Sequence, residues 1–337
     1  MNQIDLDDMH SMVKAFPEML VSIQIPKETR DLCVKLREVG LRGICVIGMG
    51  GSSIAGQYIQ ALLRESATVP IINVHDSNLP AYVDNSWVTI AVSYSGNTEE
   101  TLASHEEAKK RGCQTFVIAS GGKLISDDKI MSCITLPSDY QPRAAFPLIF
   151  SAVLHLVECL IGRELTDLSM IRETLTKKVT QWEASSMAPK VMAEDFLYSV
   201  PVFIGSRHLS PVAYRAKCQI NENAKAIAFS SEIPEANHNE IESFHGENDH
   251  SVLPVFLRSV FEGERLMQRF DITTEIYEEE GFRPIRISIG SSSRIEEALL
   301  MTYYLDMVSV ELADLRGVNP ISVDRIMKLK SSLKQTE

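Results

Sequence analysis

Residues 44–47, Ile-Cys-Val-Ile, form an unbroken apolar run that stops on Gly48-Met49-Gly50-Gly51. Apolar residues at helical spacing follow: Ile54, Tyr58, Ile59, Leu62 and Leu63. A strand without polar alternation must be covered on both faces, which is the habit of parallel sheets. Further short apolar runs at 71–74, 88–92 and 115–119 are separated by several helical segments. Strands alternating with helices predict a doubly wound α/β layer. The junction recurs at Pro201-Val202-Phe203-Ile204-Gly205, ahead of a helix-like stretch at 211–224, with strand candidates at 226–229, 252–257 and 284–289. A long helix is expected over 294–315, ended by Gly317 and Pro320. Before the first strand, Met9, Met12, Val13, Phe16, Met19 and Leu20 have the spacing of one amphipathic helix, and a second is expected over 28–39. The reading is an N-terminal helical segment (1–26) and two α/β subdomains (27–160 and 165–337), each a doubly wound parallel sheet with helices on both faces.

The formal net charge of −12 argues against non-specific nucleic-acid binding, which needs clustered Lys and Arg. No apolar run approaches the roughly 18 residues of a membrane span, and MNQIDLDDMH lacks the pattern of a signal peptide. The cysteines (33, 45, 113, 133, 159 and 218) are scattered without a CxxC pair, as expected of reduced thiols in the cytoplasm.

Two loops carry the functional signal. Glycines 48, 50, 51 and 56 let the backbone turn tightly at the mouth of a helix, whose free N–H groups suit an anion. No Lys-Ser/Thr pair closes this run as in a P-loop, and G-x-G-x-x-S misses the dinucleotide fingerprint. A tight turn with no ligand is the plain alternative. The second loop, Ser93-Tyr94-Ser95-Gly96-Asn97-Thr98, also ends a strand and opens a helix. A helix N-cap explains one hydroxyl there, not three. Ligands of open α/β sheets bind at the strands' carboxyl ends, so together the loops point to a terminal phosphate.

GMGGSSIAG and SYSGNTEET resemble the sugar-isomerase (SIS) domain, specifically the bifunctional phosphoglucose/phosphomannose isomerases. Pro142-Arg143-Ala144-Ala145, Asn221-Glu222-Asn223-Ala224-Lys225 and Glu235-Ala236-Asn237-His238-Asn239-Glu240 extend the likeness in order. The resemblance implies two flavodoxin-like subdomains and interconversion of glucose 6-phosphate, and of mannose 6-phosphate, with fructose 6-phosphate through a cis-enediol, with no cofactor or metal. It implies that Glu222 is the base, Arg143 the cation facing the enediol oxygens, His238 the ring-opening group and Lys330 its C-terminal assistant, with Lys328 as second choice. Gly51, Ser52, Ser93, Ser95 and Thr98 would hold the phosphate. It further implies a homodimer in which each His238 serves the partner's site.

Read without the family, Glu222 and the terminal lysine could be solvated, and Arg143 could form an ordinary surface ion pair. Two places depart from the pattern: Ser53 stands where many members have glycine, and the segment Asn319-Pro320-Ile321-Ser322 lacks the threonine expected of members linked to mannose activity. His245, His250 and nearby glutamates raise a metal-site alternative, without compact ligand spacing. Rival functions on this fold are an amino-sugar-phosphate isomerase or deaminase and a non-catalytic sugar-phosphate sensor. A sensor has no use for Glu222, and the acidic N-terminal helix offers no basic recognition helix.

Overall fold

The computed structural model describes residues 4–127, 129–246 and 251–333. The chain divides into two compact units. The first comprises Lys14–Val179 and Ser292–Ala298; the second comprises the described residues of Met1–Val13, Thr180–Ser291 and Leu299–Glu337.

In the first unit β1 (Gly43–Gly48), β2 (Ile71–Val74), β3 (Trp87–Val92), β4 (Gln114–Ala119) and β5 (Ser132–Thr135) form one sheet in the order β2-β1-β3-β4-β5, every pairing parallel. Every residue of β1 and β3 is buried, as their continuous apolar character requires. Cys45, Ile47, Val74, Leu79, Val83, Trp87 and Ala108 form one hydrophobic cluster. Tyr58 packs against Phe146 at 4.9 Å between ring centroids and against Phe150 at 6.1 Å. Those phenylalanines belong to the helix Phe146–Ile161, which is buried along nearly its whole length.

In the second unit β6 (Val200–Gly205), β7 (Phe229–Glu232), β8 (Val252–Arg258) and β9 (Ile285–Ser288) pair in parallel in the order β7-β6-β8-β9. Each sheet therefore places its first strand between its second and third, so the winding is repeated. The loops agree in detail. Gly50 (φ +53°) follows the strand-ending Gly48 by two residues, as Arg207 (φ +52°) follows Gly205. Phe256, Phe270, Tyr277, Phe244 and Phe282 fill the core of this unit, with Phe244 stacked on Tyr277 at 3.9 Å.

Two expectations need correcting, and one strand is new. The N-terminal helix is two short helices, Met9–Lys14 and Phe16–Leu20, although all six apolar residues are buried. Pro17 stands in the first turn of the second helix, where a missing N–H costs nothing, but it cannot continue the preceding helix. The strand expected at 226–229 is instead Phe229–Glu232, because pairing to β6 begins at Val202↔Phe229. β7 is an edge strand with exposed ends, so the more apolar residues just before it mislead. β5 was not anticipated; it too is a short, largely polar edge strand.

Candidate functional site

The crossover from β1 runs one way to β2 and the crossover from β3 runs the other way to β4, which makes the carboxyl ends of β1 and β3 the topological switch point. Both glycine and hydroxyl loops sit there. Gly48 allows the β1 loop to close on β3: a Cβ would meet the Val92 carbonyl oxygen at 2.9 Å. Gly50 is the N-cap of the helix Gly51–Leu63, and no side chain caps that helix. Ser52 is buried, and its Oγ accepts a hydrogen bond from Tyr94 N–H at 3.2 Å, which ties the two loops together.

Thr98 is the N-cap of the helix Glu99–Lys110, yet its hydroxyl makes no capping bond. It pairs with the buried Ser93 hydroxyl at 2.9 Å instead. Ser95 is exposed, and its Oγ accepts from Asn97 N–H at 3.3 Å. The capping explanation of these hydroxyls therefore fails at the residue placed to cap. Two helix N-termini and a Ser93–Thr98 hydroxyl pair at adjacent strand ends are donors suited to a phosphate monoester. Ser53 does not crowd this loop; its Oγ accepts from Asn73 Nδ2 on β2 at 2.8 Å.

Arg143 is brought to the same place. A Cβ on Gly51 would stand 3.2 Å from the Pro142 carbonyl oxygen and 3.5 Å from Arg143 Cα. The Arg143 side chain is 4 % exposed, and its Nη1 approaches Gln141 Oε1 at 3.5 Å. Tyr94 anchors the segment leading to it, donating to Pro137 O at 2.8 Å and accepting from Tyr140 N–H at 3.0 Å. Burial pushes the Tyr94 phenol up to about 12, so it stays neutral in both roles. Nothing in the sequence marks this role of Tyr94, the second residue of the SYSGNT motif.

The other candidates belong to the second unit. Glu222 is half-buried in the last turn of the helix Ser210–Asn223. Lys225 (φ +54°) closes that helix, its ammonium donating to the carbonyls of Glu222 and Asn223. The same helix is clamped to the long helix Arg294–Leu315 and its end. Arg215 forks onto the buried Asp306 at 2.6 and 3.1 Å, Asn223 Nδ2 donates to Ser309 Oγ at 2.9 Å, and Arg316 Nε donates to Ala224 O at 2.9 Å. Burial raises the Asp306 carboxyl, and the Arg215 charge opposes that rise only in part. His238 is exposed at the end of a 3₁₀ turn, Glu235–His238. Lys330 and Lys328 are exposed on the helix Asp324–Leu333, and Ile321 precedes that helix, half-buried. His250 lies outside the described residues, and among those described no three His, Cys, Asp or Glu side chains group as metal ligands.

Residues 40–157 match the SIS domain family, and residues 186–333 match the bacterial phospho-glucose isomerase C-terminal SIS domain. A bifunctional phosphoglucose/phosphomannose isomerase of Aquifex aeolicus (strain VF5) is 33% identical over 298 residues, covering 87% of this chain and 91% of that protein. The chain belongs to the bifunctional phosphoglucose/phosphomannose isomerase family. The first match contains the whole glycine and hydroxyl cradle with Arg143; the second contains Glu222, His238 and Lys330. A D-glucosamine-6-phosphate 4-epimerase of Sulfolobus acidocaldarius is 35% identical over 224 residues, 64% of this chain and 68% of that one. The fold is shared with the C-terminal domain of glucosamine-fructose-6-phosphate aminotransferase from Francisella tularensis, with a TM-score of 0.75 at 17% identity over 93% of this chain and 98% of that one.

Proposed function

We propose that this member of the bifunctional phosphoglucose/phosphomannose isomerase family interconverts glucose 6-phosphate and mannose 6-phosphate with fructose 6-phosphate through a cis-enediol. The observation that carries the reading is the switch-point cradle. Thr98 holds its hydroxyl on Ser93 instead of capping its own helix, and Arg143 lies against the same glycine loop. The 6-phosphate is bound by Gly51, Ser52, Ser93, Ser95 and Thr98, in the subdomain 27–160. The subdomain 165–337 supplies the acid–base groups.

In the reaction Glu222 takes the proton from C2 of the aldose, exchanges it with solvent while the enediol is bound, and delivers a proton to C1. Arg143 holds the enediolate oxygens, where a fixed cation is worth most because charge develops only in the transition state. His238 moves the proton between the ring oxygen and O1 during ring opening, as a general acid and base. Lys330 assists, with Lys328 as the alternative. The C2 stereocentre disappears in the enediol, so both aldoses form when the intermediate can turn about C2–C3. The exposure of His238 fits delivery to a partner subunit's site, and a homodimer is the proposed active form. No helix among the described residues is long and apolar enough to cross a membrane, which accords with a proposed cytoplasmic location.

The test is turnover of fructose 6-phosphate by the wild type and by Glu222→Gln, with products resolved. Loss of a general base lowers kcat by about 10²–10⁴. A Glu222→Gln enzyme running at the wild-type rate would remove the base assignment. Activity confined to C4 of an amino sugar phosphate would move the chain to the epimerase side of its relatives.

A further inference from the structure

His238 sits on a turn of three residues per revolution, so Ala236, Asn237 and His238 point in three different directions. Ala236 is 3 % exposed and packs into the cluster of Ile233, Phe244, Phe256, Phe270 and Tyr277. His238 points to solvent. Asn237 takes the third direction, toward the helix Glu264–Glu279. Its Nδ2 donates to Thr273 Oγ at 2.9 Å, and its Oδ1 lies 3.4 Å from Arg269 Nη1.

The Thr273 hydroxyl is spoken for, because it donates to the Arg269 carbonyl at 2.7 Å. It therefore meets Asn237 as an acceptor, which requires the amide nitrogen on that side and leaves the amide oxygen facing the arginine. Both ends of the Asn237 amide are thus matched in one orientation. The anchor is rigid, since Thr273 is 2 % exposed and Phe270 and Tyr277 of the same helix lie in the core. Within the turn, Asn237 N–H donates to Pro234 O at 3.1 Å, Asn239 N–H to Ala236 O at 3.4 Å and Asn239 Nδ2 to Glu235 Oε1 at 3.2 Å. Those bonds lie within the turn and Ala236 holds only one side of it, so a small roll about that contact remains open, and it swings the outward side chain furthest.

We propose that Asn237 is a positioning residue for His238, and that Thr273 and Arg269 are the groups that fix it. The inference rests on the reading of His238 as the ring-opening group. The Asn237–Thr273 bond stops the roll, so the imidazole is presented at one angle to the sugar ring, and proton transfer to the ring oxygen depends on that angle.

The experiment measures kcat and KM for fructose 6-phosphate in Asn237→Ala, Thr273→Val, Thr273→Ser, His238→Ala and Thr273→Val/His238→Ala, with urea unfolding of each. Thr273→Val keeps the shape and removes only the hydroxyl. Expected is a fall in kcat of about five- to tenfold in Thr273→Val and Asn237→Ala, the factor of one lost neutral hydrogen bond. KM should stay within about twofold, and Thr273→Ser should recover most of the rate. In the His238→Ala background, Thr273→Val should cost nothing further, since two residues acting as one unit are non-additive. Losses that multiply would make the contact merely structural and overturn the proposal. So would a wild-type kcat in Thr273→Val. A wild-type kcat in His238→Ala would instead overturn the reading of His238 itself, whatever Asn237 does.

Discussion

Gly96 lies at the tip of the hydroxyl loop, with φ +65° and its N–H donating to Ser93 O at 2.9 Å. A Cβ there would stand 1.7 Å from the Gly121 carbonyl oxygen and 2.8 Å from its carbon. Real Cβ atoms keep about 3.0 Å, so Gly96→Ala forces the β3 and β4 loops apart by about 1.3 Å, backbone against backbone. The left-handed conformation adds about 1–2 kcal/mol for an L-residue, and overpacking of this kind costs about 1–3 kcal/mol. Expected is a loss of about 2–5 kcal/mol in urea unfolding. Because Ser93, Ser95 and Thr98 move with the loop, kcat/KM for fructose 6-phosphate should fall about 100-fold, the scale of a 1 Å misplacement. Gly290→Ala is the control: it has open space and no left-handed backbone, and should stay within about 0.5 kcal/mol. A Gly96→Ala enzyme with wild-type stability and kcat/KM within twofold would refute the claim that loop apposition builds the phosphate cradle.

Ser53→Ala should cost about 1 kcal/mol of stability by removing the acceptor of the Asn73 amide. It should leave KM for fructose 6-phosphate within twofold, whereas a tenfold rise would put the Ser53 hydroxyl on the phosphate. Arg215→Met leaves the Asp306 carboxylate buried without its cation, and should lower unfolding stability by about 3–5 kcal/mol, most of it recovered in Arg215→Met/Asp306→Leu. A loss below about 1 kcal/mol in the single variant would mean the pair does not clamp the Glu222 helix. Burial pushes the Asp127 carboxyl up, but hydrogen bonds from Lys109, the Lys129 N–H and His105 outweigh it and hold Asp127 well below the usual carboxylate range. The unfolded state then binds more protons than the folded one. This stabilisation is complete above about pH 4 and lost as pH falls through the folded-state value. Thermal melts of Asp127→Asn should therefore depend less on pH below about 4 than those of the wild type; parallel curves would show that Asp127 is not held low.

The core strands were legible because burial on both faces leaves no choice of residue. Ile44 to Ile47, Val88 to Val92 and Val252 to Leu257 read as strands for the reason they are buried. The edges were not, since short edge strands such as Phe229–Glu232 and Ser132–Thr135 carry no continuous apolar run. Pro17 splits a stripe that reads as one helix because apolar spacing does not register the missing N–H. At the site, glycines and hydroxyls at strand ends pointed to a phosphate by themselves, and the motif resemblance supplied Glu222, Arg143, His238 and Lys330. Long-range partners stayed hidden. Nothing local announces that Tyr94 reaches Pro137, that Asn223 meets Ser309, or that Asn237 meets Thr273, because each bond joins elements tens of residues apart.

The central claim is proton transfer through an enediol by Glu222, and incubation of fructose 6-phosphate with the enzyme in D₂O containing EDTA tests it most directly. The account predicts glucose 6-phosphate and mannose 6-phosphate, both carrying solvent deuterium at C2, with both formation and labelling lost in Glu222→Gln. Aldose formed without any deuterium at C2, or sugar phosphate bound but never turned over, would contradict it.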